Sequence, residues 1–193
     1  MHQDLDMSHA FQLVLPTLNH LPSYAAALRR GWSPDHLRPE TADEELACIE
    51  ADPYAFLASM VDIEAAGPPI TLPDGSQVAR LPGYRSWMWD DAFCGSIGLR
   101  WQRGTAALPA SCLGHIGYSV VPWKQRLGYA TAALALLLPD ARSRGLPYVE
   151  ITTDPNNTPS QRVIDANGGV LLERFVKSAA YGGITGLRYR IML

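Results

Sequence analysis

The chain has 193 residues, 47% hydrophobic and 18% charged, with a formal net charge of −3 and an isoelectric point of about 5.9. This is the balance of a folded domain with room for a substantial core, and it excludes retention on nucleic acid by a general basic field. The longest apolar run, Ala130–Leu138, is far short of the ~20 residues a bilayer demands, and MHQDLDMSHA has no signal-peptide pattern, so a cytoplasmic protein with no membrane and no nucleic-acid partner is expected.

Residues 1–10 read as a flexible leader, followed by a strand at Phe11–Leu15 that Pro16 stops. Leu21–Arg30 reads as a helix ended by Gly31. Thr41 with Glu44 reads as a capping box opening a helix to about Ala51, which Asp52-Pro53 breaks. A third helix is expected over Tyr54–Ala66. The proline-rich stretch Pro68–Gly83 reads as a loop with a hairpin at Pro73-Asp74-Gly75. Tyr84–Trp89 and Phe93–Trp101 alternate in character and are rich in aromatics, which predicts a hairpin turning at Asp90-Asp91. Gly104–Ser111 is a loop, and Leu113–Val121 a strand ended by Pro122. A helix (Ala130–Arg144), a strand (Tyr148–Thr152), a helix (Ser160–Asn167) and two strands (Val170–Val176, Leu187–Leu193) complete the chain. The pattern is a single α/β domain over 1–193, a mixed sheet with helices on both faces. Cys48, Cys94 and Cys112 are widely spaced and odd in number, so they read as buried free thiols, neither a disulfide framework nor a zinc site, and no metal is expected.

The chemistry concentrates between residues 114 and 169. After the strand comes Lys124-Gln125-Arg126-Leu127-Gly128-Tyr129-Ala130-Thr131, a basic turn of the form Q-x-x-G-x-A opening a small-residue helix. A helix start with unbonded N–H groups is a ready anion site, and Lys124 and Arg126 add charge, so a phosphate is the expected ligand. A basic helix start simply packed on the sheet is the alternative. No G-x-x-x-x-G-K-[ST] and no G-x-G-x-x-G accompanies it, which removes a nucleoside-triphosphate loop and a dinucleotide fold.

In this order the motifs resemble the GCN5-related N-acetyltransferase (GNAT) superfamily. Tyr118-Ser119-Val120-Val121-Pro122 is similar to that family's bulged fourth strand and Gln125–Ala130 to its pyrophosphate loop. Tyr148–Thr153 with Asp154-Pro155-Asn156-Asn157 and Ser160 resembles its fifth strand and next helix start, and Asn167-Gly168-Gly169 its turn into the sixth strand. The resemblance implies a mostly antiparallel sheet splayed between strands four and five, with acetyl-CoA as co-substrate lying in the split. It implies that the backbone of Val120 and Val121 pairs with the pantetheine arm and that an N–H near Val120 polarises the thioester. The amides from Gln125 through Arg126, Leu127, Gly128, Tyr129 and Ala130 to Thr131 would hold the pyrophosphate, with Asn157 and Ser160 along the groove; Ser160 also reads as an N-cap.

Many members of that family carry a tyrosine as general acid in the helix after strand five, and here the matching position is Ile164. Tyr118, Tyr129, Tyr181 or solvent remain to protonate the thiolate. His115 is a candidate base or a structural histidine bonded to backbone. Glu150 is a candidate base through water or an arginine's partner. Asp90 and Asp91 read as a turn or part of the acceptor site. Trp87, Trp89 and Trp101 read as core, and Trp123 as core or a shield for the cofactor. The expected activity is acetyl transfer to an amine of a small molecule or peptide by direct attack. A longer acyl-CoA donor and a non-catalytic CoA-binding module are the alternatives. A sheet ending at Leu193 is open to edge-paired or strand-exchanged homodimers.

Overall fold

The computed structural model describes residues 11–193, so the leader expected over residues 1–10 lies outside the described residues. In chain order the elements are β1 (Gln12–Val14), α1 (Leu21–Arg29), α2 (Thr41–Ala51), α3 (Pro53–Ala58), β2 (Val61–Asp62), β3 (Ile70–Thr71), β4 (Gln77–Val78), β5 (Gly83–Asp90), β6 (Ala92–Arg100), β7 (Ile116–Val120), α4 (Tyr129–Ser143), β8 (Tyr148–Thr153), α5 (Thr158–Ala166), β9 (Val170–Val176) and β10 (Thr185–Met192). Short 3-10 turns occupy Leu18–His20, Pro122–Lys124 and Ala179–Tyr181. One sheet runs β1-β5-β6-β7, with β2 also on β5; a second runs β8-β10-β9, and β3 and β4 form a separate hairpin. Every described ladder is antiparallel.

The central hairpin β5–β6 separates two cores. Trp87 and Phe93 pack under α1–α3 with Tyr24, Trp32, Phe56 and Val121, while Met88, Cys94, Ile97 and Leu99 pack under α4 with Ala133, Leu134 and Leu137. Phe93 and Ile97 would share a face in a regular strand. They do not, because the register shifts at Met88/Trp89 and leaves Cys94 as the extra residue; such a bulge reverses the alternation. Tyr24 stacks on Trp87 at 4.1 Å, a pairing worth about 0.5–1.5 kcal/mol beyond its buried area.

Four local expectations need correction. Thr41 is the first residue of α2 and not its cap, and its buried hydroxyl has no partner. The chain is already turning there: Thr41, Ala42 and Asp43 donate their N–H groups to the carbonyls of Arg38, Pro39 and Glu40, so a capping box has little left to satisfy. The third helix ends at Ala58, because Val61 and Asp62 pair with Tyr84 and Gly83 at the edge of β5. Its start is capped by Asp52, whose Oδ1 accepts N–H from Tyr54 and Ala55, both at 3.0 Å. Ser160 is not the cap of α5; Asn157 Oδ1 accepts the Ser160 N–H at 3.1 Å. Cys48 is exposed, not buried.

Candidate active site

The two sheets meet at one point. His115 donates its backbone N–H to the Glu150 carbonyl at 2.8 Å, and its Nδ1 accepts the Glu150 N–H at 2.9 Å. A backbone N–H can only donate, so Nδ1 carries no proton; Nε2–H therefore donates to the Ala106 carbonyl at 3.1 Å. Gly114 makes the approach feasible, since a Cβ there would lie 2.9 Å from the Glu150 oxygen and 3.3 Å from Ile151 Cα. Thr152 Oγ1 donates to the Leu113 carbonyl at 2.5 Å. Among the described residues no hydrogen bond joins Ile116–Val120 to β8, so the strands part beyond His115 and leave a wedge.

Both candidate bases sit in the contacts of their structural alternatives. His115 is fully buried, both ring nitrogens are engaged, and burial pushes its pKa below the ordinary value, so the ring is a neutral strut. Glu150 Oε1 lies 2.6 Å from Arg190 Nη2 and Oε2 lies 3.9 Å from Arg188 Nε, which makes it an ion-pair partner within the second sheet.

The wedge-facing edge of β7 follows from the β6–β7 ladder. Arg100 N–H reaches the His115 carbonyl and Val121 N–H reaches the Cys94 carbonyl at 2.9 Å. Antiparallel bonding alternates, so the His115 carbonyl and the backbone groups of 117, 119 and 121 turn toward β6, while Ile116, Tyr118 and Val120 turn theirs toward the wedge. Val121 thus cannot pair with a carrier as expected: its N–H is on Cys94 and its carbonyl accepts Lys124 N–H at 2.9 Å. Val120 remains available. The bulge expected in β7 is absent on its β6 side, where the register runs unbroken from Gly95↔Val120 to Leu99↔Ile116. Among the described residues, backbone hydrogen bonding between the two strands ends at His115 and Glu150.

Past β7 the chain makes its 3-10 turn and reaches the predicted anion loop. Gln125 Nε2 ties back to the Val120 carbonyl at 3.4 Å. Arg126 and Gly128 both take left-handed backbone, with φ of 62° and 84°. No described hydrogen bond uses the N–H of Arg126, Leu127, Gly128, Tyr129, Ala130 or Thr131; Ala132 is the first to bond back, to Gly128. Amides in this geometry at a helix start form a concave anion nest. A Cβ on Gly128 would meet nothing within 4 Å, so glycine is required there by its φ. Lys124 is not a free charge for the loop as expected, because its ammonium is paired with Asp90 at 3.2 Å.

Three tyrosines compete for the donor role. Tyr129 hydroxyl bonds Asp90, and Tyr181 hydroxyl donates to the Ser111 carbonyl at 2.8 Å. Tyr118 crosses from β7 to α5, its hydroxyl 2.9 Å from Ser160 Oγ and 3.2 Å from the Ser160 carbonyl. Burial pushes the Tyr118 hydroxyl up to about 12, so it keeps its proton at neutral pH. Ile164 is fully buried and touches Gly169, where a Cβ would fall 2.2 Å from Ile164 Cγ2. Trp123 carries the Arg30 guanidinium over its ring at 3.6 Å, and Asp91 takes the left-handed turn position with φ of 53°. Sequence reasoning missed the roles of Asp90 and of the buried Lys177, whose ammonium pairs with Asp154 at 2.5 Å. No local signal marked either pairing.

The sequence matches the acetyltransferase (GNAT) domain family over residues 13–170, and the chain belongs to that family. Among curated proteins, none matches the sequence. Similar solved structures include the microcin C7 self-immunity acetyltransferase MccE in complex with acetyl-CoA and AMP (12% identity, 97% of this chain and 94% of that one, TM-score 0.64). The ribosomal L7/L12 alpha-N-protein acetyltransferase RimL in complex with coenzyme A is another (13% identity, 97% and 96%, TM-score 0.61). RimJ of Mycobacterium smegmatis is a third (17% identity, 94% and 81%, TM-score 0.56).

Proposed function

We propose that this protein is an acetyl-CoA-dependent N-acetyltransferase in which an amine attacks the thioester directly. One observation carries the reading: six successive amides, Arg126 to Thr131, have no hydrogen bond among the described residues and follow β7 after a single 3-10 turn. The donor set fits a diphosphate: successive amides without described partners at a helix start, with Arg126 adding charge. Gln125 shapes the entrance through its bond to Val120, and Asn157 fixes the start of α5 so that Ser160 lines the groove.

Bound in the wedge, acetyl-CoA supplies an activated acyl group. Val120 N–H, turned away from β6, is the donor for the carbonyl oxygen as it gains charge. Tyr118 hydroxyl, fully protonated at neutral pH, donates a hydrogen bond to the leaving sulfur from between β7 and Ser160. It takes the place of the tyrosine absent at Ile164. With His115 and Glu150 held in structural contacts, no side chain is assigned to proton removal: the acceptor enters as the free amine, and as the C–S bond breaks the proton its nitrogen sheds passes through water to the departing thiolate. Positioning then supplies much of the rate. The acceptor belongs to a small molecule or a peptide. Ribosomal-protein acetylation by a protein of similar fold makes a peptide α-amine the first to try.

The test is thiol release from acetyl-CoA across small amines and peptides, repeated with longer acyl-CoA donors, beside calorimetry with coenzyme A. Turnover with an amine, fastest with acetyl-CoA, supports the proposal. Binding without turnover across the panel overturns catalysis in favour of a CoA-binding module, and faster longer donors overturn the acetyl assignment.

A further inference from the structure

Asp90 belongs to no part of the donor site described above. It ends β5, at the turn of the central hairpin, where Asp91 holds a left-handed backbone and Cys94 forms the bulge. Its carboxylate nevertheless grips both flanks of the anion loop. Oδ2 accepts the Tyr129 hydroxyl, from the first residue of α4, and lies 3.2 Å from Lys124 Nζ, from the last residue of the preceding 3-10 turn. The Lys124 ammonium also sits 5.6 Å from the centre of the Tyr129 ring, so the three groups close on one another. The pair is half-buried, with side-chain exposures of 26% for Lys124 and 22% for Asp90.

Between the two clamped residues run Gln125–Gly128. Arg126 is left-handed there, a conformation a non-glycine residue keeps only where its surroundings hold it. A carboxylate beside an anion site is also electrostatically adverse unless it does something else. By charge alone, removing it would free Lys124 and strengthen phosphate binding.

We propose that Asp90 is a positioning residue: it clasps Lys124 and Tyr129 and so pre-orders the amides from Arg126 to Thr131 for the diphosphate of the acyl donor. The inference rests on the donor-site reading above. The sign of the effect separates the clasp from simple charge. Calorimetry compares coenzyme A with pantetheine, which lacks the diphosphate, on wild type, Asp90→Asn, Asp90→Glu and Tyr129→Phe. Asp90→Asn is expected to bind coenzyme A roughly ten- to a hundredfold more weakly, the range for losing hydrogen bonds to a charged group. Its affinity for pantetheine stays unchanged and Asp90→Glu restores part of the loss. In turnover, KM for acetyl-CoA rises while kcat holds. Coenzyme A binding as tight as wild type or tighter in Asp90→Asn overturns the inference, as does an equal loss for pantetheine. If Asp90→Asn does not fold, Tyr129→Phe decides alike, because it opens one arm of the clasp: weaker coenzyme A binding supports the inference and unchanged binding overturns it. Absence of binding by the wild type refutes the donor-site reading itself, a different failure.

Discussion

Substituting Gly128 separates backbone strain from charge at the anion loop. Its φ is 84°, and a Cβ built there meets nothing within 4 Å, so alanine adds no clash and only the left-handed penalty. That penalty is about 1–2 kcal/mol, which lowers the melting temperature of a chain this size by roughly 2–8 °C. Asparagine and aspartate tolerate the left-handed region and should cost less stability than alanine. Aspartate alone adds a negative charge facing the expected diphosphate. At ~5 Å and an effective dielectric of ~20, one such repulsion is about 3 kcal/mol, close to a 200-fold loss of affinity. Gly128→Asp should therefore weaken coenzyme A binding by roughly 200-fold with a small change in melting temperature, while Gly128→Ala should keep most of the affinity and lose more stability. Calorimetry with coenzyme A and thermal melts of the three variants read both quantities. Wild-type affinity in Gly128→Asp would refute the placement of the diphosphate, and an equal loss in Gly128→Asn would refute charge as the cause.

Three further outcomes are expected. His115 has a folded pKa below its unfolded value near 6.5, so the unfolded chain binds the extra proton. Stability should fall as pH drops below about 6.5, by at most about 1.4 kcal/mol per unit from this group, and be flat above it; melts of wild type and His115→Asn from pH 5 to 8 should show that limb flattened in the variant, and an unchanged slope would contradict the strut. Gly114→Ala places a methyl 2.9 Å from the Glu150 oxygen, an overpacking worth about 1–3 kcal/mol, and an undiminished melting temperature would mean the sheets do not meet as described. Tyr118→Phe should lower kcat about a hundredfold with little change in KM for acetyl-CoA; an unaltered kcat removes Tyr118 from the reaction.

What could be read from the sequence was local. The Q-x-x-G-x-A turn at 125–130, the hairpin turning at Asp90-Asp91 and the helix that became α4 depend on neighbours within a few residues, and all three are where expected. The expected end of the third helix failed because Val61 and Asp62 answer to β5, which lies more than twenty residues on. The phase change along β6 was hidden for a similar reason: a bulge at Cys94 leaves no mark in composition. The site residues divide the same way. Gly128 announces its left-handed backbone by being glycine in a basic turn. Glu150 reads equally well as base or ion-pair partner until Arg190, forty residues away, is placed beside it.

The reassignment of His115 and Glu150 has a consequence for the chemistry. A histidine at the mouth of a cleft suggests a base with a pKa near neutrality, and a rate that climbs as that base deprotonates. Here the ring is spent on holding two sheets together at the place where they begin to part. In the proposed mechanism His115 and Gly114 close the vertex of the wedge, and the histidine's part is to hold the two strands there. If the acceptor arrives already neutral, kcat/KM should follow the pKa of the acceptor amine and shift when the amine is changed. Two amines of well-separated pKa give the decisive comparison: profiles that move with the amine agree with a site lacking a side-chain base, and a common inflection near 6.5 for both would return His115 to catalysis.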